Sequence, residues 1–221
     1  RWILSRLNQL IRTVQRLFDT YQYGEAGRQI RSFLWDEFAD WYIEMSKHAL
    51  YSDDTTSRTH TLQMLVHVMD TSMRLLHPFM PFATEEIWRY LPHSGEALII
   101  AQWPQADADL IDDEAENKMN VLMDMVRGIR ATRIEYDVDP GHKVAAQIAP
   151  GSFHDIIEAH SYLFARLCNV PDLEVLTNGS SAPEDAASIV VSDVTVYLPL
   201  AGMIDIEAEV GRLSKDLERL S

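Results

Sequence analysis

The chain has 221 residues, 47% of them hydrophobic, enough for one large domain or two small ones with real cores. A formal net charge of −15 excludes a surface that binds nucleic acid all over, because phosphates are held by Lys and Arg. No apolar run is long enough to span a membrane, and the single cysteine, Cys168, excludes an internal disulfide and, beside nine Met, suits a reducing cytoplasm.

The N-terminus starts inside a helical pattern. It has neither an initiator Met nor the apolar stretch of a signal peptide, so the chain reads as an excised piece. Ile3, Leu7, Leu10, Ile11, Val14, Leu17, Phe18 and Tyr21 recur at three- and four-residue steps and predict a long amphipathic helix, closed at Tyr23-Gly24. A second helix carries Ile30, Leu34, Phe38, Trp41, Tyr42 and Met45 on its buried face. Residues 52–57 are turn chemistry. A third helix follows over 59–76, with Leu62, Leu65, Val66, Met69, Met73 and Leu76 inward. Pro78 and Pro81 interrupt it, and a fourth helix starts at Thr84, a plausible N-cap, and ends before Pro92.

From His93 the pattern changes. A short apolar run over 97–100 and Trp103-Pro104 lead into the acidic stretch 107–116. A fifth helix is predicted over 113–135, then a strand over 143–149 with Val144, Ala146 and Ile148 on one face. A helix over 153–167 and strands over 173–176, 188–191 and 194–198 follow, with a loop at 178–183. Met203, Ile206, Val210, Leu213, Leu217 and Leu220 then repeat at alternating three- and four-residue steps, the seam of a coiled coil. The pattern is short and broken by Gly211, which suggests a truncated arm.

Four segments carry a resemblance. Residues 28–47, Arg-Gln-Ile-Arg-Ser-Phe-Leu-Trp-Asp-Glu-Phe-Ala-Asp-Trp-Tyr-Ile-Glu-Met-Ser-Lys, and residues 77–88, His-Pro-Phe-Met-Pro-Phe-Ala-Thr-Glu-Glu-Ile-Trp, resemble helices of the anticodon-binding bundle of class I aminoacyl-tRNA synthetases. Residues 200–209, Leu-Ala-Gly-Met-Ile-Asp-Ile-Glu-Ala-Glu, and the junction 129–143 with its Asp139-Pro140-Gly141 turn are most like the valyl-tRNA synthetases. The resemblance implies a mainly α fold. An anticodon-binding helical bundle (1–92) and a connector (93–112) precede a small α+β junction domain (113–200) and a truncated coiled-coil helix (201–221). It also implies tRNA recognition, valine tRNA for preference, on behalf of an ATP- and Mg-dependent ligase. The catalytic and editing domains of that monomeric parent chain lie elsewhere. An isoleucine or leucine enzyme is the alternative within the family, and a protein-interaction scaffold without RNA is the alternative outside it.

Trp35, Phe38, Trp41, Tyr42, Phe79, Phe82 and Trp88 have helical spacing and are expected as scaffold, each contributing roughly 1.5–3 kcal/mol when buried. RNA contact is sought where charge and aromatics coincide. Residues 1–31 hold six arginines against Asp19 and Glu25. Arg1, Trp2 and Arg6, the last two sharing a helix face, can supply guanidinium and ring faces to unpaired bases, and the family binds the anticodon near the start of this bundle. Arg127, Arg130 and Arg133 fan around the fifth helix and could meet a tRNA backbone, although pairing with Asp124, Glu135 or Asp137 competes. Lys215 and Arg219 are candidates on the terminal arm.

No catalytic signature is present. Glu44-Met45-Ser46-Lys47-His48 imitates the Lys-Met-Ser-Lys-Ser loop of the class, but it lacks the leading lysine and falls on a bundle helix. No glycine-rich phosphate cradle appears. His60 and His67 stand too far apart to share a metal, and Cys168 has no neighbouring ligand. No catalytic residue, no metal and no cofactor of its own are expected for the chain.

Overall fold

The computed structural model describes residues 1–177, 183, 185–200 and 203. It is mainly helical with one small sheet, and it divides into two compact units at residues 116/117. The seam residues Ile206, Val210, Leu213, Leu217 and Leu220, together with Lys215 and Arg219, lie outside the described residues.

The first unit is built on α1 (Trp2–Asp19), which buries Ile3, Leu7, Leu10, Ile11, Val14 and Leu17 along the stripe read from the sequence. Its closure differs from expectation. Tyr21, at φ 59°, makes the left-handed turn, with the Gln22 amide donating to Leu17 O at 2.8 Å and the Tyr21 amide to Phe18 O at 3.0 Å. Gly24 therefore falls in the first turn of α2 (Tyr23–Ser32) rather than ending α1. A local six-residue hydrogen bond overrode the preference for glycine.

α2 runs without a break into a π-helical stretch, Phe33–Ile43, and on into α3 (Glu44–Leu50). Hydrogen bonds five residues apart widen each turn, and Phe33 and Phe38, five apart, are both buried. That winding carries Trp35 outward: it is 65% exposed, against the expectation that it belongs to the core, while Phe38 and Trp41 are buried as read.

α4 (Thr55–Leu76) starts four residues earlier than the sequence suggested, because Asp54 caps it: its Oδ1 accepts from the amides of Thr56 and Ser57 at 2.9 and 3.2 Å. Leu62, expected inward, is exposed near that end. α5 (Pro81–Trp88) begins at Pro81, whose missing amide is harmless at a first helical position. Thr84 is thus not the cap. It is buried inside the helix, donating its hydroxyl to Met80 O at 2.8 Å and meeting His77 Nδ1 at 2.8 Å. Trp88 is the central core ring. It is fully buried with Met73 and Leu98, and its Nε1 donates to Asp70 Oδ1 at 2.6 Å. Phe82, expected to pack, points to solvent.

α6 (Asp113–Glu135) matches its predicted span. It ends as α1 does, with Asp137 at φ 51° and the Val138 amide donating to Arg133 O at 2.8 Å. In the second unit the sheet order is β2-β1-β4-β3, from β1 (Ala145–Ala149), β2 (Asp172–Val175), β3 (Ala186–Val191) and β4 (Val194–Pro199). β1 and β2 are parallel, and the other neighbours are antiparallel. Val144, Ala146 and Ile148 face the core as the alternation predicted. The parallel crossover is two short helices, α7 (His154–Ala159) and α8 (Tyr162–Cys168), not the single helix over 153–167. Helical winding lapses at His160 and Ser161 between them, which lets Phe153, Ile157, Leu163 and Phe164 all reach the core.

Candidate nucleic-acid interface

The start of α1 was expected to present a cationic, aromatic edge. The structure places an acidic strap there instead. Along the first turns of α1, Ser5 Oγ accepts from the Asp112 amide at 2.8 Å and Asn8 Oδ1 from the Asp107 amide at 2.8 Å, which lays residues 107–116 against the helix. Glu116 then reaches Ser5, Gln9 and Arg6.

Of the three residues singled out at this edge, one remains open. Arg1 keeps its side chain 88% exposed, with only a 3.4 Å contact from Nη1 to Asp112 Oδ2. Trp2 is 8% exposed, so neither face of its ring is available for a base, and its buried Nε1 has no partner among the described residues. Arg6 is committed to protein. Its Nε and Nη2 donate to Glu37 Oε2 and Oε1 at 2.7 and 2.9 Å, and Nη1 lies 3.3 Å from Glu116 Oε2. Hydrogen bonding to Glu37, reinforced by both carboxylate charges and opposed by burial, raises the guanidinium's pKa further.

The second cluster separates in the same way. Arg127 is exposed and pairs with Asp124 at 2.8 Å, one of the competitors named from sequence. Arg130 is exposed, with Nε donating to Leu167 O at 2.8 Å. Arg133 is 6% exposed and works as a tie: Nη2 donates to Asp139 O at 2.9 Å and His142 O at 2.8 Å, binding the helix end to the turn that follows.

Three of the uncommitted cations in the first unit are ones the sequence counted but did not single out. The side chains of Arg12, Arg16 and Arg31 are exposed and form no ion pair or hydrogen bond among the described residues. Arg12 follows Arg1 by three helical turns, about 16 Å, on the same side of α1, and Arg16 follows one turn later. Their signal was legible: Arg12 and Arg16 sit opposite the apolar stripe of a helix already read from periodicity, and Arg31 borders the stripe of the next.

The stretch that imitates a nucleotide loop does not fit a nucleoside triphosphate. Ser46 is buried within α3, and Lys47 is paired with Glu44. Among the described residues no cluster of three His, Cys, Asp or Glu side chains could hold a metal, and no helix is long and apolar enough to cross a membrane.

Comparison with known proteins agrees with the helical architecture. A family described as the anticodon-binding domain of tRNA ligase matches residues 1–148. The chain is 43% identical to the valine–tRNA ligase of Geobacillus stearothermophilus over 221 residues, 99% of the chain and 25% of that protein. It is 41% identical to the valine–tRNA ligase of Enterococcus faecalis over the same shares. Against that of Bacillus cereus it is 43% identical over 218 residues, 97% of the chain and 24% of the relative. It thus spans about a quarter of the length of the curated relatives it matches. The chain belongs to the anticodon-binding domain family of tRNA ligases.

Proposed function

We propose that residues 1–221 act as the tRNA-recognition part of a valine–tRNA ligase, orienting valine tRNA for ATP- and Mg-dependent charging by catalytic and editing domains outside these residues. The observation that carries this reading is the identity of 43% to a valine–tRNA ligase, sustained over 99% of the chain rather than over the bundle alone. Within that reading the helical bundle (1–92), connector (93–112), α+β junction (113–200) and coiled-coil start (201–221) serve one monomeric, cytoplasmic enzyme. Binding energy gained here lowers the barrier through orientation, because tRNA held at a distance has its acceptor end already positioned.

The RNA-facing groups we assign are Arg1 at the N-cap of α1, Arg12 and Arg16 within that helix, and Arg127 and Arg130 on α6. Trp2, Arg6 and Arg133 contribute by holding the surfaces in shape. The exposed, unpaired guanidinium groups of Arg12 and Arg16 on an otherwise acidic surface make contact local, as recognition of a single loop requires.

Arg12→Glu/Arg16→Glu in the full-length ligase tests this. Filter binding across a salt series should show weaker valine tRNA binding and a log–log salt slope shallower by about 1–2, the signature of two lost phosphate contacts. An unchanged slope and affinity would remove the α1 assignment. Competition with isoleucine and leucine tRNAs decides the amino acid.

A further inference from the structure

An open groove of about 530 Å³ runs between the π-helical stretch, α4 and α5 of the first unit. Leu34, Trp35, Met69, Met73, Met80 and Ile87 line it, and Trp35, Met80 and Ile87 are 65, 51 and 42% exposed. Its cation is Arg31, one turn before Trp35 and without a partner among the described residues. A contiguous apolar surface built from large side chains marks a place where something packs.

The lining selects the occupant. Almost no hydrogen-bonding group faces the groove, so base edges would go unread there, and the exposed Asp36 and Asp40 on the same helical stretch repel phosphate. Polypeptide suits it better. Two helical walls with apolar side chains between them accept an amphipathic helix that anchors residues at i, i+3/i+4 and i+7. The relatives are about four times as long as this chain, so a segment from the remainder would be tethered beside the groove at high effective concentration.

We propose that this groove seats an amphipathic helix from the catalytic part of the full-length ligase, with apolar anchors on Trp35 and Met80 and a carboxylate on Arg31. The proposal rests on the reading of residues 1–221 as part of a longer valine–tRNA ligase. Hydroxyl-radical footprinting of that full-length protein without tRNA tests it, each residue's labelling being compared with its own rate after unfolding. Trp35 and Met80 should lose labelling to the level of buried Trp88, at every protein concentration, while exposed Tyr90 stays labelled. Trp35→Glu should restore labelling of Met80, and Phe82→Glu, a change at an exposed ring outside the groove lining, should not. Three results overturn the proposal: labelling of Trp35 and Met80 as full as that of Tyr90, protection that needs added tRNA, and protection lost on dilution, which would indicate a second copy. Charging of valine tRNA by the same preparation separates the two ideas. A ligase that charges while Trp35 stays labelled loses only the docking proposal, whereas a protected Trp35 in a protein that neither binds nor charges tRNA loses the functional reading.

Discussion

Arg6 and Glu37 form a two-point ion pair between α1 and the π-helical stretch, with N–O distances of 2.7 and 2.9 Å. Both side chains are about two-thirds or more shielded, so the pair is not a solvent-screened surface contact. Glu37→Gln should therefore destabilise the chain by about 1.5–3 kcal/mol in urea melts, the range for hydrogen bonds to charged groups. Arg6→Ala should cost a similar amount. The double variant should cost less than the sum, and strict additivity would show that the pair does not couple.

Arg133 offers a harsher test. Its Nη2 holds the carbonyls of Asp139 and His142, while Nη1 is buried with no partner among the described residues. Arg133→Ala should destabilise by roughly 2–3 kcal/mol and speed amide exchange across residues 139–144, because the released carbonyls lose a charged donor. Exchange unchanged in that turn would mean that Arg133 is not what holds it.

Gly128 of α6 packs closely against Ile189 of β3. A Cβ built there would lie 2.6 Å from Ile189 Cγ2, a branch methyl held in place by a stiff β-branched χ1. Gly128→Ala should then lower stability by about 1–3 kcal/mol through overpacking, despite alanine's better helix propensity. Combining it with Ile189→Ala should recover part of the loss, and a thermal melt showing no recovery would place the strain elsewhere.

Acid sensitivity follows from depressed carboxyl groups. The Ser152 amide donates to Asp193 Oδ2 at 2.8 Å and holds that carboxyl below its ordinary range, as the Ala115 amide does for Asp112. Hydrogen bonds from Arg28 and then Gln29 bring Glu25 to about 2. A depressed folded pKa contributes stability that is complete above the unfolded value, near 4, and is lost as pH falls through the folded value. Tm should drop between about pH 5 and pH 2, and Asp193→Ala should flatten that fall. A wild-type Tm flat over this window would contradict the assignment.

Cys168 should be inert. Burial pushes its thiol up to about 12, against the smaller opposing influence of Arg130 and Arg133. A thiol reagent at pH 8 should leave it unmodified in the folded protein and modify it quickly once urea unfolds the chain. Rapid labelling under native conditions would sink this.

Much of the fold was legible because its elements are periodic. The span of α6 and the inward set Val144, Ala146 and Ile148 follow from hydrophobic spacing alone. The failures have a common physical cause, hydrogen bonds that periodicity does not encode. Asp54 moved a helix start, Tyr21 moved a helix end, and five-residue hydrogen bonds rotated Trp35 out of the core. The candidate interface was less legible for a related reason. Arginine content is visible in sequence, but Glu37 and Glu116, which occupy Arg6, come from 31 and 110 positions away.

The π-helical stretch also sets a rule for engineering and for drift. Phe33, Phe38 and Trp41 are all buried along turns that are wider than those of an α-helix. Deleting one residue there, with the wide turns kept, would swing everything downstream by on the order of 100°. Trp41 would then leave its seat, and a deletion before Glu37 would turn that carboxylate away from Arg6. Length, more than side-chain identity, is the quantity this segment cannot change.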